Sequence, residues 1–281
     1  YFIAILLGLF IPIAFISLRD FFSETISSKS DLQNATKIPI LGLVGHSDKA
    51  TSLVVATSSK SIIAESFRSL RTNIQYLAAD KEKKVITLTS SIGGEGKTFS
   101  AMNLAAIFAL SGHKTILIGG DLRKPKLHED FNLDVSIGLS SFLINKSSLK
   151  EVITTTKIDS LDVIGSGPTP PNPAELLDSP KMKELISELN KTYDYVIIDT
   201  PPVGLVTDGV ILMQHADVNL YVIRHYYSKT KSLSIINNLF NQNQVKNVHI
   251  IINDFKHNSS GYGYGYGYEY GTSGYGYYEE G

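Results

Sequence analysis

The chain has 281 residues, of which 43% are hydrophobic and 19% are charged. A chain of this length can build one core of about 200 residues and still carry flanking segments. Its formal net charge of −1 creates no overall basic field, which argues against a nucleic-acid-binding protein. Because it has no cysteine, a disulfide framework and a thiolate zinc site are excluded, and a reducing compartment is favoured.

The first segment is strongly apolar. Residues 1–18 carry no charged side chain, and as a helix they would span about 27 Å, just enough to cross a bilayer. Pro12 is tolerated in membrane spans, and Arg19 follows where a cytoplasmic flank carries positive charge. We predict a transmembrane helix over 1–18, and since the chain begins with Tyr1 we expect it to open inside that helix. A signal-peptide core is the alternative, but a basic start and a clear cleavage site are lacking.

Residues 19–60 are rich in Ser, Thr, Asp and Lys, which predicts a juxtamembrane linker with one short extended piece around Pro39. Beyond it, apolar runs alternate with stretches of helix length such as 98–111 and 229–240. The pattern predicts a mostly parallel α/β sheet with helices on both faces, folded over residues 61–257, with the chemistry at the carboxyl ends of the strands. The predicted strands are 85–89, 115–118, 161–164, 195–199, 219–223 and 248–252.

The first predicted strand leads into SSIGGEGKT and then into a helical run, the order of elements that a phosphate-binding P-loop requires. Its glycines let backbone N–H groups turn towards phosphates, Lys97 reaches the β- and γ-phosphates, and Thr98 offers its hydroxyl to Mg²⁺. Ser91 stands at the first glycine of the standard motif, so the loop is of the deviant Walker A type. An ordinary glycine-rich turn is the alternative. The residues expected to contact ATP are Gly93, Gly94, Glu95, Gly96, Lys97, Thr98 and Phe99.

Two further predicted strands lead to an acid, Asp121 after TILIGG and Asp199 at the end of YVIID. Since parallel strands end at one edge of the sheet, both acids are expected beside the P-loop, where they bind Mg²⁺ directly or through water. With Thr98 they form the predicted metal site, and with Lys97 the predicted catalytic set. The alternative for each acid is a structural role, as a loop cap or a lysine partner. Asn253, at the end of the last strand, is a candidate for contacting the base or an ordinary strand-end residue.

Four motifs occur in a fixed order: SSIGGEGKT, ILIGGDLRKP, GPTPPNPAELLDS and VIIDTPP. Together with the membrane helix and a tyrosine-rich tail, they resemble the bacterial tyrosine kinases (BY-kinases) attached to polysaccharide co-polymerases of capsule and exopolysaccharide export. The resemblance covers essentially the whole chain. It implies an ATP- and Mg²⁺-dependent protein-tyrosine kinase in the bacterial inner membrane, with its kinase domain facing the cytoplasm. The implied partners are the polysaccharide export machinery and a tyrosine phosphatase, and no nucleic acid.

One position departs from that family. Its second motif commonly reads Asp-x-Asp, and here Gly119 stands at the first acid. We therefore expect Asp121 both to help hold Mg²⁺ and to orient the tyrosine hydroxyl, and an aspartate at 119 to lower the magnesium requirement. A nucleotide-binding regulator that has lost transfer activity is the alternative function. A partition or septum-positioning ATPase is another, but such proteins typically carry a signature lysine at the position of Ile92.

Residues 61–77 predict an amphipathic helix whose apolar stripe packs on the domain. Glu65, Arg68 and Arg71 occupy a separate arc. By spacing alone, this arc is equally well an exposed surface with an i, i+3 ion pair. The resemblance implies that E-x-x-R-x-x-R is the family's subunit-contact motif, and that the chain assembles into a ring-like homo-oligomer.

In residues 258–281 glycine alternates with tyrosine, which predicts a disordered tail. A sticky low-complexity linker is one interpretation. The kinase resemblance favours a substrate that reaches a neighbouring active site and gains about −1.5 to −2 charges per phosphate. The predicted phosphoacceptors are Tyr262, Tyr264, Tyr266, Tyr268, Tyr270, Tyr275, Tyr277 and Tyr278.

Overall fold

The structure is a computed structural model, and it describes residues 24–48, 51–77 and 83–256, together with Phe2, Gly8, Phe10 and Pro12. The predicted tail, and all but those four residues of the predicted membrane helix, lie outside the described residues. Among the described residues, no helix combines the length and the apolar character that crossing a membrane requires. The membrane helix and the tail stay predictions.

Strands and helices alternate along the described chain. The strands are β1 (Ile40–Gly45), β2 (Lys84–Ser90), β3 (Thr115–Gly119), β4 (Ile153–Thr155), β5 (Leu161–Ile164), β6 (Tyr195–Asp199), β7 (Val218–Arg224) and β8 (Val248–Phe255). The helices are α1 (Lys29–Ala35), α2 (Val54–Thr57), α3 (Ile62–Leu77), α4 (Lys97–Leu110), α5 (Leu127–Phe131), α6 (Leu139–Leu143), α7 (Leu149–Val152), α8 (Pro173–Leu177), α9 (Pro180–Thr192), α10 (Asp208–Met213) and α11 (Ser234–Asn241). A 3-10 helix (Thr230–Leu233) precedes α11.

The strands form one sheet in the order β1-β8-β7-β2-β6-β3-β5-β4. All neighbouring strands are parallel except β4, which pairs antiparallel with β5. All six predicted strands are confirmed, as β2, β3, β5, β6, β7 and β8. Strand β4 was not predicted, because three residues are too short to show a periodic pattern.

Helices cover both faces of the sheet, as predicted. Ile86 and Leu88 of β2 pack in one apolar cluster with residues of α3 and α4. Ile116 and Ile118 of β3 pack in a second cluster, which includes α9. The alternation follows from the two-residue period of a strand, which sends successive side chains to opposite faces. Strands in the middle of the sheet are therefore apolar on both sides.

The folded unit begins earlier than predicted. Strand β1 lies within the segment assigned to a linker, yet it pairs with β8 and forms one edge of the sheet. Ile26 and Leu32 are fully buried. The Ile26 N–H also donates to the carbonyl of Ser228 (2.8 Å), and Tyr226 N–H donates to the carbonyl of Ile26 (2.9 Å). The boundary at residue 60 is corrected: residues 24–48 belong to the domain. Their polar composition concealed this, since an edge segment is anchored by few apolar side chains.

Candidate active site

The P-loop joins β2 to α4 at the carboxyl edge of the sheet, where the sequence placed it. Gly94 and Gly96 adopt left-handed backbone conformations, with φ of 86° and 90°. A Cβ atom at position 96 would lie 1.9 Å from Nδ2 of Asn253, so only glycine fits there. The loop ends at the N-terminus of the buried helix α4, where backbone N–H groups and the helix dipole favour an anion.

A cavity of about 570 Å³ lies beside the loop. Loop residues, Phe99 and Asp121 line it, together with the basic residues Arg123, Lys124 and Lys126. Pro202 and Leu205, from the segment after β6, add an apolar wall. The cavity thus combines phosphate-binding groups with room for a second reactant.

Lys97 lies close to both of the predicted acids. The Lys97 Nζ lies 3.2 Å from Asp199 Oδ1 and 3.5 Å from Asp121 Oδ2. Thr98 donates its hydroxyl to Asp199 Oδ2 at 2.7 Å. Burial raises the pKa of Asp199 above its usual range, against the opposing effects of the Lys97 charge and the Thr98 hydrogen bond. The residues predicted from three separate motifs therefore form one cluster.

Asp121 is held by the backbone that follows it. Its Oδ1 accepts the N–H groups of Arg123 (3.2 Å) and Lys124 (3.0 Å). The Arg123 guanidinium in turn binds both carboxylate oxygens of Asp208, at 2.8 and 3.1 Å. Asp208 is fully buried at the start of α10, so this pair fastens the segment after β3 to that helix. Sequence reasoning missed Asp208, whose only signal is an acid at the start of a short helix.

Gly119 is the last residue of β3, and the space beside its Cα is already occupied. A Cβ atom there would lie 2.7 Å from Ser166 Oγ and 3.1 Å from the Ser166 nitrogen. The Ser166 hydroxyl donates to the carbonyl of Gly119 at 2.8 Å. Ser166 therefore fills the space into which the first acid of the Asp-x-Asp motif would extend.

Glu95 and Asn253 form hydrogen bonds that hold the loop, and neither side chain joins the cluster of Lys97, Asp121 and Asp199. Glu95 is fully buried; its Oε2 accepts the Ile92 N–H at 2.9 Å, and Ser228 donates its hydroxyl to Oε1. Burial raises the pKa of Glu95, and these hydrogen bonds oppose the rise. Asn253 donates its side-chain amide to the carbonyl of Glu95 at 3.1 Å. A contact between Asn253 and a nucleotide base stays a prediction.

The predicted subunit-contact residues lie on the outer surface of α3. Glu65 and Arg68 form an ion pair at 2.8 Å, and Arg68 also donates to the carbonyl of Ser59 at 2.5 Å. The apolar face of α3 is buried, as predicted. Within one chain the arc thus contains the i, i+3 pair, and a role for it and Arg71 between subunits stays a prediction. All predicted phosphoacceptors lie outside the described residues.

The donor set suits a magnesium-bound nucleotide. In the described part of the chain, no group of three or more His, Cys, Asp or Glu side chains is arranged to hold a metal ion. One hydroxyl and two carboxylates, from Thr98, Asp199 and Asp121, do converge beside the phosphate loop. Mg²⁺ in nucleotide sites typically takes few protein oxygens, with phosphates and waters completing its octahedron. The residues present therefore fit a magnesium-bound nucleotide.

Comparison with known proteins shows which proteins the chain is similar to. A family model described as an AAA domain matches residues 83–254. The chain is 36% identical over 272 residues to the tyrosine-protein kinase ptk of Acinetobacter johnsonii, covering 92% of this chain and 37% of that protein. It is 46% identical over 171 residues to the tyrosine-protein kinase YwqD of Bacillus subtilis (strain 168), covering 61% of this chain and 72% of that protein. The kinase domain of the Escherichia coli tyrosine kinase ETK matches with a TM-score of 0.77 at 30% identity, over 86% of this chain and 99% of that domain.

Proposed function

Because the chain belongs to the family of bacterial tyrosine-protein kinases, we propose that it transfers the γ-phosphoryl group of ATP to tyrosine hydroxyls. The acceptors in this proposal are the tyrosines of its own C-terminal segment, presented by a neighbouring subunit. The convergence of Lys97, Thr98, Asp199 and Asp121 beside a P-loop cavity carries the proposal. The chain covers 37% of the Acinetobacter relative, so this activity refers to the kinase portion.

Phosphoryl transfer passes through a loose transition state, so positioning and charge neutralisation outweigh a strong base. The tyrosine oxygen bonds to the γ-phosphorus as the bond to the β–γ bridging oxygen breaks, and ADP departs with that electron pair. Lys97 stabilises the charge that develops on the transferring group. Thr98, Asp199 and Asp121 would hold Mg²⁺, which when bound neutralises phosphate charge. Lys97 and Thr98 begin α4, Asp199 ends β6, and Asp121 is held by two backbone N–H groups, so little reorganisation accompanies the reaction.

Asp121 also has the position to receive the tyrosine proton. It lines the cavity, and its Oδ1 is fixed by two backbone N–H groups while Oδ2 faces Lys97. With Gly119 in place of the family's first acid, this one carboxylate both supports the metal and orients the phenol. Weaker magnesium binding is the expected consequence.

Charge favours the proposed substrate. Lys124 and Lys126 line the cavity, and the C-terminal segment carries Glu269, Glu279 and Glu280 among its tyrosines. That segment follows β8, whose carboxyl end lies at the same edge of the sheet as the P-loop. From His257 to Tyr268 is eleven residues, and a Gly-rich chain of that length has a root-mean-square span of about 17 to 20 Å. The radius of gyration of the domain is about 16 Å. Distance therefore permits a tyrosine to react at its own active site or at that of a neighbour. The choice rests on a subunit contact through Glu65, Arg68 and Arg71.

Mixing two complementary proteins tests the proposal. One is Lys97→Met with its tail intact, and the other is active protein truncated after His257. We expect phosphotyrosine on the tail of the inactive partner, measured by mass spectrometry after incubation with Mg-ATP. The yield should rise with concentration and fall when Arg68 and Arg71 of both proteins are changed to Ala.

Two results would contradict parts of this proposal. If the inactive partner stays unmodified while full-length protein modifies itself at a concentration-independent specific rate, transfer is intramolecular. If the parent binds ATP but forms no phosphotyrosine, the chain is a nucleotide-binding regulator, the alternative function that the missing acid at Gly119 raises. The proposed setting is the cytoplasmic side of the bacterial inner membrane, where polysaccharide export machinery and a tyrosine phosphatase are the proposed partners.

A further inference from the structure

The outer side of the P-loop, which faces β7 and β8, is bound by side chains from β7, from β8 and from the turn after β7. Three successive carbonyl oxygens, those of residues 93–95, each accept one hydrogen bond. Tyr227 donates its hydroxyl to the first at 3.1 Å, Arg224 its Nη1 to the second at 3.2 Å, and Asn253 its amide to the third at 3.1 Å. Arg224 ends β7, and Asn253 is its partner in β8. Sheet register therefore places two of the three donors, and Tyr227 lies in the turn that follows β7.

The direction of these carbonyls fixes the direction of the neighbouring amides. In a planar trans peptide the C=O of one residue and the N–H of the next point in opposite directions. The described residues contain no cis peptide bond. Holding the carbonyls of 93–95 on the β7–β8 side therefore turns the N–H groups of 94–96 the other way. The loop's glycines line the 570 Å³ cavity, and successive N–H groups in such a loop bind phosphate.

We propose that Arg224 and Tyr227, together with Asn253, are positioning residues that pre-organise the P-loop amides for the phosphates of the nucleotide. Neither Arg224 nor Tyr227 was singled out from the sequence, because one ends and the other follows a strand that is distant in sequence from the loop. This proposal rests on nucleotide binding within the proposed function, and is independent of whether a tyrosine is the acceptor.

The donors are themselves fixed before any ligand arrives. Arg224 Nε donates to Asp254 Oδ2 at 2.8 Å, and its guanidinium lies 5.3 Å from the centre of the Tyr227 ring. The Arg224 N–H donates to Ser228 Oγ at 2.8 Å, and that hydroxyl donates to Glu95. Because the donors are held, the loop pays little ordering cost when phosphate binds. Asn253 also packs against Gly96, so changes there disturb the loop's shape directly.

Tyr227→Phe is the sharpest test, because it removes one donor and keeps the ring beside Arg224. We expect the full-length variant to bind Mg-ADP, and inorganic pyrophosphate in competition with it, about 3- to 10-fold more weakly, as the loss of one net hydrogen bond predicts. The thermal midpoint without nucleotide should match the parent within about 2 °C, since the lost bond lies at a half-exposed surface. Isothermal titration calorimetry gives the affinities.

Tyr193→Phe is the matched control. It also removes the hydrogen bond of a tyrosine hydroxyl, to Asp162 at 2.7 Å. Tyr193, however, precedes β6 and lies at the amino ends of the strands, on the side of the sheet away from the P-loop. We expect its affinities for Mg-ADP and pyrophosphate to stay within about twofold of the parent. Arg224→Lys keeps the charge but not the planar fork that serves Asp254 and the loop together, so it should also weaken both ligands.

The proposal is overturned if Tyr227→Phe and Arg224→Lys both bind pyrophosphate as the parent does, or if Tyr193→Phe weakens it equally. Pyrophosphate carries no base or ribose, so a loss for both ligands assigns the effect to the phosphate site. Neither binding assay depends on phosphorylation of tyrosine. A parent that binds both ligands but never phosphorylates tyrosine would refute the proposed kinase activity while leaving this inference standing.

Discussion

The two sides of the P-loop are built in opposite ways. On the cavity side Lys97 lies between two acids, one of which, Asp199, is almost fully buried with a raised pKa. On the β7–β8 side, loop carbonyls and the Glu95 carboxylate are matched by neutral or paired donors. The first side concentrates charge that a ligand can use, and the second satisfies its polar groups within the protein.

The difference distinguishes residues that take part in the reaction from residues that hold the loop in its conformation. A cluster of charged side chains held close together in a largely buried site is costly to the fold and marks a functional site. A fully hydrogen-bonded network holds geometry and is worth about 1 kcal/mol per bond. Substitutions on the cavity side should therefore change rate far more than stability, while those on the outer side should alter affinity or stability by modest amounts.

The largest effect is expected for Lys97→Met, which removes the only positive charge found between Asp199 and Asp121 among the described side chains. Phosphotyrosine formation should fall by about 10³-fold or more, because the lost charge serves the transferring phosphoryl group. The fold should be retained, since Asp199 keeps its hydrogen bond from Thr98. Radiolabelled phosphate transfer and circular dichroism measure the two properties.

Lys191→Met controls for that loss of charge, because Lys191 is exposed and pairs with Glu188 on the surface of α9. The Lys191→Met protein should form phosphotyrosine at the parental rate. A Lys97→Met protein that gains phosphotyrosine at the parental rate would show that this loop is not the catalytic one.

An intermediate effect is expected where the family's first acid is missing. Gly119→Asp should lower the free energy of unfolding by about 1 to 3 kcal/mol, because its Cβ meets Ser166 at 2.7 Å. Combining it with Ser166→Gly should restore most of that stability. Urea unfolding measures both, with Ser166→Gly alone as the control.

The same pair of variants tests the metal role of position 119. If an acid there binds Mg²⁺, the double variant should need less magnesium for half-maximal activity than Ser166→Gly does. A titration curve that overlays that of Ser166→Gly would exclude a metal role for the added acid. A single Gly119→Asp variant as stable as the parent would show that Ser166 yields freely.

The smallest effect concerns Glu95 on the outer side. Burial raises its pKa in the folded state, so the folded protein binds the proton more tightly than the unfolded chain does. Its contribution to stability is therefore present at acid pH and is lost as pH rises through the raised pKa. Relative to Glu95→Gln, the parent's free energy of unfolding should fall with rising pH across that window.

Urea unfolding at a series of pH values measures this slope. Glu188→Gln, which removes the charge of a half-exposed surface carboxylate, is the control for the loss of one carboxylate. A constant difference between the parent and Glu95→Gln from acid to neutral pH would contradict the predicted direction.

The amino-acid sequence by itself determined the central strands, the P-loop and the cluster of Lys97, Thr98, Asp121 and Asp199. Buried parallel strands read as continuous apolar runs, and their ends must meet at one edge, so motifs far apart in sequence could be placed together. The tertiary structure decided what depends on contacts between distant segments. Strand β1 joined the sheet through β8, Ser166 occupied the space beside Gly119, and Arg224 and Tyr227 reached the outer side of the loop. None of these has a local periodic signal, because each depends on strand register and on which side chain arrives from another part of the chain.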